Sequence, residues 1–202
     1  MPIHLTPNYL ESDFLAKGLK LLQTMSQTFK VFLRDKNVAS IAASSLHTVK
    51  KVCNFIDFKK DSIFIEYGPG SGVFTRYILN HATPKSKLIA IETNRYFCNT
   101  LATADSRLTI INDSAENIKK ILNTYKVKYA NYIISGIPFS KFDNRLKDKI
   151  IKNSYDILPL GGKFLLYQIS KDIKKYLEQY FIVESYYQIL NIPPLFIFEA
   201  VK

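Results

Sequence analysis

Three closely spaced glycines, Gly68, Gly70 and Gly72, follow a short apolar run that carries a carboxylate near its end, Glu66. Glycine allows positive φ angles and a close approach of ligand to backbone, and a helix that starts behind the glycines presents free N–H groups. A small nucleotide-like molecule is therefore expected over this turn, at the carboxyl end of the strand. Dinucleotide-binding proteins use the spacing G-x-G-x-x-G, whereas the spacing here is G-x-G-x-G.

Acidic residues also end the next two predicted strands. Glu92 ends the run LIAIE and is placed to accept hydrogen bonds from both hydroxyls of a ribose. Asp113, followed by Ser114, comes after a third strand and can accept a hydrogen bond from an adenine amino group. With the glycine spacing, these carboxylates favour S-adenosylmethionine, which carries no pyrophosphate. The predicted cofactor-binding residues are Glu66, Gly68, Gly70, Gly72, Glu92, Asp113 and Ser114.

The elements that must position these residues alternate between short apolar runs and helical patterns, which is typical of a parallel sheet with crossover helices. Apolar residues at spacings of three and four predict helices in the segments SGVFTRYILNHA, NRYFCNTLATA, AENIKKILNTYK and FDNRLKDKIIKNSYDIL. The predicted strands lie near 62–66, 87–92, 107–111, 130–135 and 162–168.

The C-terminal segment has a different pattern. QYFIVESYYQI and PLFIFEAVK are both strand-like, and the residues between them leave no room for a helix. Parallel strands need a crossover of about a dozen residues or more, so these two strands are predicted to pair antiparallel. A Rossmann-like α/β sheet, mostly parallel with a C-terminal antiparallel hairpin, is the layout of class I methyltransferases.

Residues 1–45 are predicted to form a separate amphipathic helix and loop, and residues 46–202 the α/β domain. Between Phe14 and Leu33, apolar residues recur at spacings of three and four, with basic residues on the other side. Such a helix can lie on an anionic membrane, and packing of its apolar side on the domain core is the alternative. The residues predicted to contact the membrane are Lys17, Lys20, Lys30 and Arg34.

The chain carries 28 Lys and Arg against 17 Asp and Glu, a formal net charge of +11. This charge favours an anionic partner, which can be nucleic acid, an anionic membrane surface or an acidic substrate. Cys53 and Cys98 have no metal-ligand spacing, so we expect reduced thiols and no bound metal. The sequence shows neither a signal peptide nor an apolar stretch of about 18 residues, so a cytoplasmic protein, not integral to a membrane, is expected. A monomer is also expected.

Over most of its length, the sequence resembles the family that includes ribosomal RNA adenine dimethylases and bacterial phospholipid N-methyltransferases. The adenine enzymes carry Asn-[Ile/Leu]-Pro-[Tyr/Phe] after the fourth strand, and this chain has Gly136-Ile137-Pro138-Phe139 there. The phospholipid enzymes have Ser-Gly-[Leu/Ile]-Pro at this point, which Ser135 to Pro138 resembles. FKVFLRDKNVASIAASS and LNIPPLFIFEA are similar to two further segments of the phospholipid enzymes.

The resemblance implies that the chain transfers methyl groups from S-adenosylmethionine to the amine of phosphatidylethanolamine, and then to its methylated forms. The expected partners are the phospholipid and an anionic membrane, with the protein peripherally associated with the inner face of that membrane. The residues that the resemblance places at the acceptor site are Ser135, Gly136, Ile137 and Pro138. Tyr9, Tyr167 and Phe139 are candidates for an aromatic lining that would receive a methylated ammonium group, and core packing is the alternative for each.

Two other functions stay open at the level of sequence. An RNA or DNA methyltransferase fits the net charge and the resemblance. Against this interpretation, the chain has Gly136 where the adenine enzymes carry an Asn. A non-catalytic protein that binds nucleic acid or membrane through a basic surface fits the charge as well, although it has no physical need for the glycines and the acidic strand ends. Gln168 and Ile169 depart from the phospholipid enzymes, which more often place an aromatic and a small polar residue after the fifth strand.

Overall fold

The computed structural model describes residues 46–101, 105–189 and 194–202. These residues form a seven-stranded sheet with the strand order β3-β2-β1-β4-β5-β7-β6. The strands are β1 (Ile63–Tyr67), β2 (Lys87–Glu92), β3 (Leu108–Asn112), β4 (Tyr132–Ser135), β5 (Lys163–Gln168), β6 (Ile182–Gln188) and β7 (Leu195–Val201). The first five strands are parallel, and β7 pairs antiparallel with both β5 and β6. The predicted Rossmann-like methyltransferase sheet with its C-terminal hairpin is therefore confirmed.

Helices connect the parallel strands as the sequence predicted. The helices are α1 (Leu46–Cys53), α2 (Val73–His81), α3 (Arg95–Leu101), α4 (Ile118–Thr124), α5 (Asn144–Ile157) and α6 (Lys174–Leu177), with 3₁₀ turns at Ala115–Asn117 and Phe139–Lys141. The Asp143 carboxylate caps α5 by accepting a hydrogen bond from the Leu146 N–H at 2.7 Å. Helices α1 and α6 were not predicted from the sequence.

The core lies on both faces of the sheet, which explains why the central strands read as continuous apolar runs rather than alternating ones. On the first face, α1 and α2 cover Phe64, Leu88, Ile134 and Leu165. On the second face, residues of α4 and α5 pack against a matching set of strand residues, Ile65, Ile89, Ile133 and Leu166. Helices thus cover both faces of the central strands, and the ends of the strands are left as the place for a ligand-binding site.

The carboxyl ends of the five parallel strands meet at one edge of the sheet. The chain runs outward from β1 through β2 to β3 and then returns to β4 on the other side of β1. In open α/β sheets, ligands bind in the crevice at such a reversal of strand order. The turn after β1, the end of β2 and the turn after β4 are therefore brought together here.

The predicted N-terminal helix, with Lys17, Lys20, Lys30 and Arg34, lies outside the described residues, and so does Tyr9. Within the described ranges, no helix combines the length and the apolar character needed to cross a membrane. Cys53 and Cys98 lie in α1 and α3 as free thiols, as predicted.

Candidate active site

The three glycines of the turn after β1 all adopt the left-handed conformation, with φ of 68° at Gly68, 53° at Gly70 and 76° at Gly72. A side chain at Gly68 would also collide, because its Cβ would stand 2.7 Å from Cγ2 of Ile137 in the turn after β4. The two turns are therefore packed directly on each other, and the glycine allows that close approach.

Gly70 is the open point of this turn. A Cβ atom at Gly70 would meet no other atom within 4 Å, so a ligand can approach the backbone from this side. The Gly70 N–H donates to Oε2 of Glu92 at 3.2 Å. The turn after β1 is in this way tied to the end of β2, and α2 begins at Val73 with its N-terminus directed to the same place.

Glu92 is buried at the end of β2, where its carboxylate accepts two backbone hydrogen bonds. Oε2 accepts from Gly70, and Oε1 accepts from the Asn94 N–H at 2.8 Å. Two carboxylate oxygens offer about four acceptor positions, so both oxygens can still accept from a ligand. A pair of neighbouring hydroxyls, as in a ribose, fits this carboxylate.

Asp113 follows β3, the strand next to β2. Its Oδ1 accepts from the Ser114 N–H at 2.6 Å and from Nδ2 of Asn117 at 2.8 Å. The bond from Asn117, and then that from Ser114, lowers the pKa of Asp113, so the carboxylate stays charged. Asn112 joins the two strand ends by donating to the Glu92 carbonyl at 2.8 Å. The edge thus presents acceptors for a ribose and for an amino group of a base, and these residues fit the nucleoside part of S-adenosylmethionine.

Glu66 has a different environment from the other two carboxylates. It is 3% exposed, and its Oε2 accepts a 2.6 Å hydrogen bond from the Thr75 hydroxyl in α2. Burial raises the pKa of Glu66 to about 7; the bond from Thr75 opposes this shift, and the charge of Glu92 adds to it. The geometry makes Glu66 a buried link between β1 and α2, beneath the glycine turn.

Ser135, at the end of β4, is fully buried in register with Tyr67 of β1 and Leu166 of β5. Among the residues that the structure describes, its Oγ is a buried polar side-chain atom without a hydrogen-bond partner. A buried hydroxyl without a partner is costly, and a role in binding or catalysis is one explanation for keeping it. The next residue, Gly136, donates its N–H to the Tyr67 carbonyl at 3.2 Å, which fixes the start of the turn after β4.

Gly136 lies against the side chain of Tyr167 in β5. A Cβ atom at Gly136 would stand 2.0 Å from Oη of Tyr167 and 2.5 Å from its Cζ. The Tyr167 ring in turn stacks on Phe74 in the first turn of α2, with ring centroids 4.8 Å apart and an interplanar angle of 13°. The Tyr167 ring therefore occupies the space that a side chain at position 136 would need.

Gln168 supports the same turn from the end of β5. Its Nε2 donates to the carbonyl of Ile137 at 2.9 Å, and the side chain is 8% exposed. The departure from the phospholipid enzymes at this position therefore serves to hold the turn after β4. Phe139 is 1% exposed and packs edge-on against Phe142, so it belongs to the core and not to an open aromatic lining.

The structure brings the predicted cofactor-binding residues and the predicted acceptor residues together at the carboxyl edge of the sheet. Their roles stay predictions. Several partners were not predicted from the sequence, namely Thr75, Asn94 and Asn117, and Gln168 was noted there only as a departure from the phospholipid enzymes. Each acts through hydrogen bonds to residues of the site, and such pairing leaves no local pattern in a sequence. Among the described residues, no group of three His, Cys, Asp or Glu side chains is arranged to hold a metal ion.

No family model matches the sequence. Among curated proteins, the chain is similar to ornithine lipid N-methyltransferase of Singulisphaera acidiphila, with 22% identity over 138 residues that cover 67% of this chain and 72% of that protein. It is also similar to ribosomal RNA small subunit methyltransferase A of Hydrogenobaculum sp., with 28% identity over 136 residues. That match covers 63% of this chain and 48% of that protein, so the chain spans about half its length.

In fold, the chain is similar to the N-methyltransferase NodS of Bradyrhizobium japonicum in complex with S-adenosyl-L-homocysteine. The TM-score is 0.67 at 11% identity, over 87% of this chain and 98% of that one. It is also similar to precorrin-6y C5,15-methyltransferase of Geobacter metallireducens, with a TM-score of 0.62 at 14% identity over 80% of this chain and 90% of that one. At these identities the likeness concerns the fold.

Proposed function

This chain is an S-adenosylmethionine-dependent methyltransferase, and we propose that it transfers methyl groups to the amine of phosphatidylethanolamine, and to its methylated forms, at an anionic membrane surface. Ser135, Gly136, Ile137 and Pro138 are proposed to form the acceptor site. Glu92 and Asp113 are proposed to hold the ribose and the adenine of the cofactor, with the glycine turn beneath them.

The observation that carries the proposal is the contact between Gly136 and Tyr167. The exocyclic amine of adenine is planar and weakly nucleophilic, because its lone pair is delocalised into the ring. Enzymes that methylate it place an Asn side chain at this point of the chain to orient the amine. Here Oη of Tyr167 stands 2.0 Å from the position of a Cβ at residue 136, so the turn has no room for that side chain.

An aliphatic amine needs less help than an aromatic one. Once it is deprotonated, its lone pair is localised and nucleophilic, and the enzyme has mainly to hold it in line. The bound cofactor supplies a methyl group on a positively charged sulfur, which such an amine can accept by direct displacement. The described residues hold the acceptor turn in place through the bond from Gln168 to Ile137 and through the packing of Ile137 on Gly68.

The relatives and the charge support a lipid as the carrier of this amine. One relative is, by its name, an N-methyltransferase of ornithine lipid, a membrane lipid that carries an amine. The net charge of +11 favours an anionic surface, where the phosphates of lipids are concentrated. We propose that residues 1–45 contact this surface through Lys17, Lys20, Lys30 and Arg34, and that the protein works peripherally on the cytoplasmic side.

The test is the transfer of labelled methyl from S-adenosylmethionine to three substrates in parallel. These are vesicles of phosphatidylethanolamine with phosphatidylglycerol, vesicles in which ornithine lipid replaces phosphatidylethanolamine, and total RNA. Label in phosphatidylethanolamine supports the proposal, and label in ornithine lipid alone corrects the headgroup while keeping the lipid amine. The variant Glu92→Ala is the control for cofactor-dependent labelling.

Label in RNA alone would overturn the proposal in favour of the RNA alternative. One relative is by name a ribosomal RNA methyltransferase, and the net charge is compatible with RNA as well. In that case RNA binding should weaken steeply with salt, because Lys and Arg side chains release counterions from the phosphates.

A further inference from the structure

Tyr167 lies between the first turn of α2 and the turn after β4. Its ring stacks on Phe74, two residues after Gly72 of the glycine turn, and its hydroxyl reaches the backbone of Gly136 in the turn after β4. The residue is 8% exposed. A side chain that contacts both the helix after the glycine turn and the turn after β4 is suited to act on a group bound at the end of β4.

The position of the Tyr167 ring is fixed by the fold. Tyr167 is part of β5, which pairs with β4 on one side and β7 on the other, and it stands opposite Ile197 of β7. Phe74 covers the ring at 4.8 Å in a nearly parallel arrangement. The hydroxyl oxygen is therefore held in place without a flexible linker, and holding it there costs little further conformational entropy when a substrate binds.

We propose that the Tyr167 hydroxyl positions the acceptor amine and so replaces, in function and in space, the side chain that Gly136 lacks. A tyrosine oxygen offers two lone pairs and one O–H. It can accept an N–H of a neutral amine, which would leave the nitrogen lone pair directed away from Tyr167 and able to take up a methyl group that the bound cofactor would supply. This inference rests on the proposed function, because it assigns a positioning residue to the same site.

Gly136 and Tyr167 form one unit in this arrangement. Any side chain at position 136 meets Oη at 2.0 Å, Cζ at 2.5 Å and Cε2 at 3.1 Å. Two of these three contacts are with ring carbons, so removal of the hydroxyl alone does not make room. A residue larger than glycine at 136 is therefore compatible only with a smaller residue at 167. With Gly at position 136 and Tyr at position 167, the Tyr167 hydroxyl can bind the acceptor amine, and the ring leaves no space for the carboxamide of an Asn at position 136.

The test compares Tyr167→Phe with the unaltered chain and with Tyr129→Phe, an exposed tyrosine just before β4, at the opposite edge of the sheet. Phenylalanine keeps the ring and its contact with Phe74. We expect kcat/KM for the acceptor to fall roughly tenfold in Tyr167→Phe, the effect of one lost hydrogen bond in the transition state. The dissociation constant of S-adenosylmethionine should stay unchanged, and Tyr129→Phe should match the unaltered chain in both quantities.

The comparison is made on whichever substrate the unaltered chain methylates, vesicles of phosphatidylethanolamine with phosphatidylglycerol or total RNA. Label in RNA alone overturns the lipid assignment, while the ratio of Tyr167→Phe to the unaltered chain still decides the role of Tyr167. A Tyr167→Phe variant within about twofold of the unaltered chain in kcat/KM overturns the inference. So does a parallel loss of cofactor binding, because the hydroxyl would then support the whole site and not the acceptor alone.

A second measurement tests the steric part. Gly136→Ala is expected to lower the melting temperature by several degrees, since the added carbon collides with the Tyr167 ring. In a Tyr167→Leu background the same change should cost less, because the ring is gone. Equal costs in the two backgrounds would show that Tyr167 does not fill the space at position 136.

Discussion

The substitution Glu66→Gln removes an ionisable carboxyl that the structure buries beneath the glycine turn. The pKa of Glu66 is about 7 in the folded chain, against an ordinary value of 4.5, mainly because burial disfavours the charged form. Glutamine keeps the shape of the side chain and can still accept the hydrogen bond from Thr75. The variant therefore isolates the cost of a buried charge.

The sign and size of the effect follow from proton linkage. As the pH rises through 4.5, the unfolded chain releases this proton while the folded chain retains it until the pH reaches about 7. The contribution of Glu66 to the free energy of unfolding is thus most favourable below the lower pKa, and it is lost as the pH rises through the upper one. The difference between the two pKa values, at about 1.4 kcal/mol per pH unit, corresponds to roughly 3 kcal/mol.

The assay is urea denaturation of the cofactor-free protein, followed by circular dichroism from about pH 4 to about pH 8. Relative to the unaltered chain, Glu66→Gln should gain about 3 kcal/mol in the free energy of unfolding across this range, with most of the gain between about pH 5 and pH 7. Glu178→Gln removes an exposed carboxyl and serves as the control; its curve should run parallel to that of the unaltered chain. Parallel curves for Glu66→Gln as well would refute the reasoning, because Glu66 would then titrate as an ordinary surface carboxyl.

Three further changes test other parts of the site. Glu92→Gln should weaken the binding of S-adenosylmethionine at least about tenfold by calorimetry, because hydrogen bonds to a charged acceptor are lost; unchanged affinity would contradict the ribose assignment. Gln168→Leu should lower the free energy of unfolding by about 1 kcal/mol, since the Ile137 carbonyl loses one of its two donors and keeps the Phe139 N–H, and an unchanged urea midpoint would argue against this support. Replacing Lys17, Lys20, Lys30 and Arg34 by Glu should reduce pelleting with phosphatidylglycerol vesicles and spare cofactor binding. Undiminished pelleting would remove the N-terminal segment from the membrane proposal.

The sequence by itself determined the strands, the order of the crossovers and the glycine turn. The five parallel strands were predicted to within two residues at each end, because strands buried on both faces are short apolar runs that a sequence displays directly. The antiparallel hairpin followed from loop length alone, because so short a connection cannot cross over to a parallel strand. Gly68, Gly70 and Gly72 were recognised because left-handed turns at a strand-to-helix junction restrict the residue type locally.

Only the tertiary structure decided how the parts of the site act on one another. The contact of Tyr167 with Gly136 and the hydrogen bond from Gln168 to Ile137 join residues of β5 to the turn after β4. Both depend on the register of two neighbouring strands, which no spacing within either segment encodes. Glu66 looked like the other acidic strand ends, yet it faces Thr75 in a buried position while Glu92 reaches the open turn. Glu66 and Glu92 lie on the same face of the sheet, because Glu66 pairs with Ala90, two residues before Glu92. Which of the two carboxylates ends beside α2 and which reaches the turn is settled only when the strands are assembled.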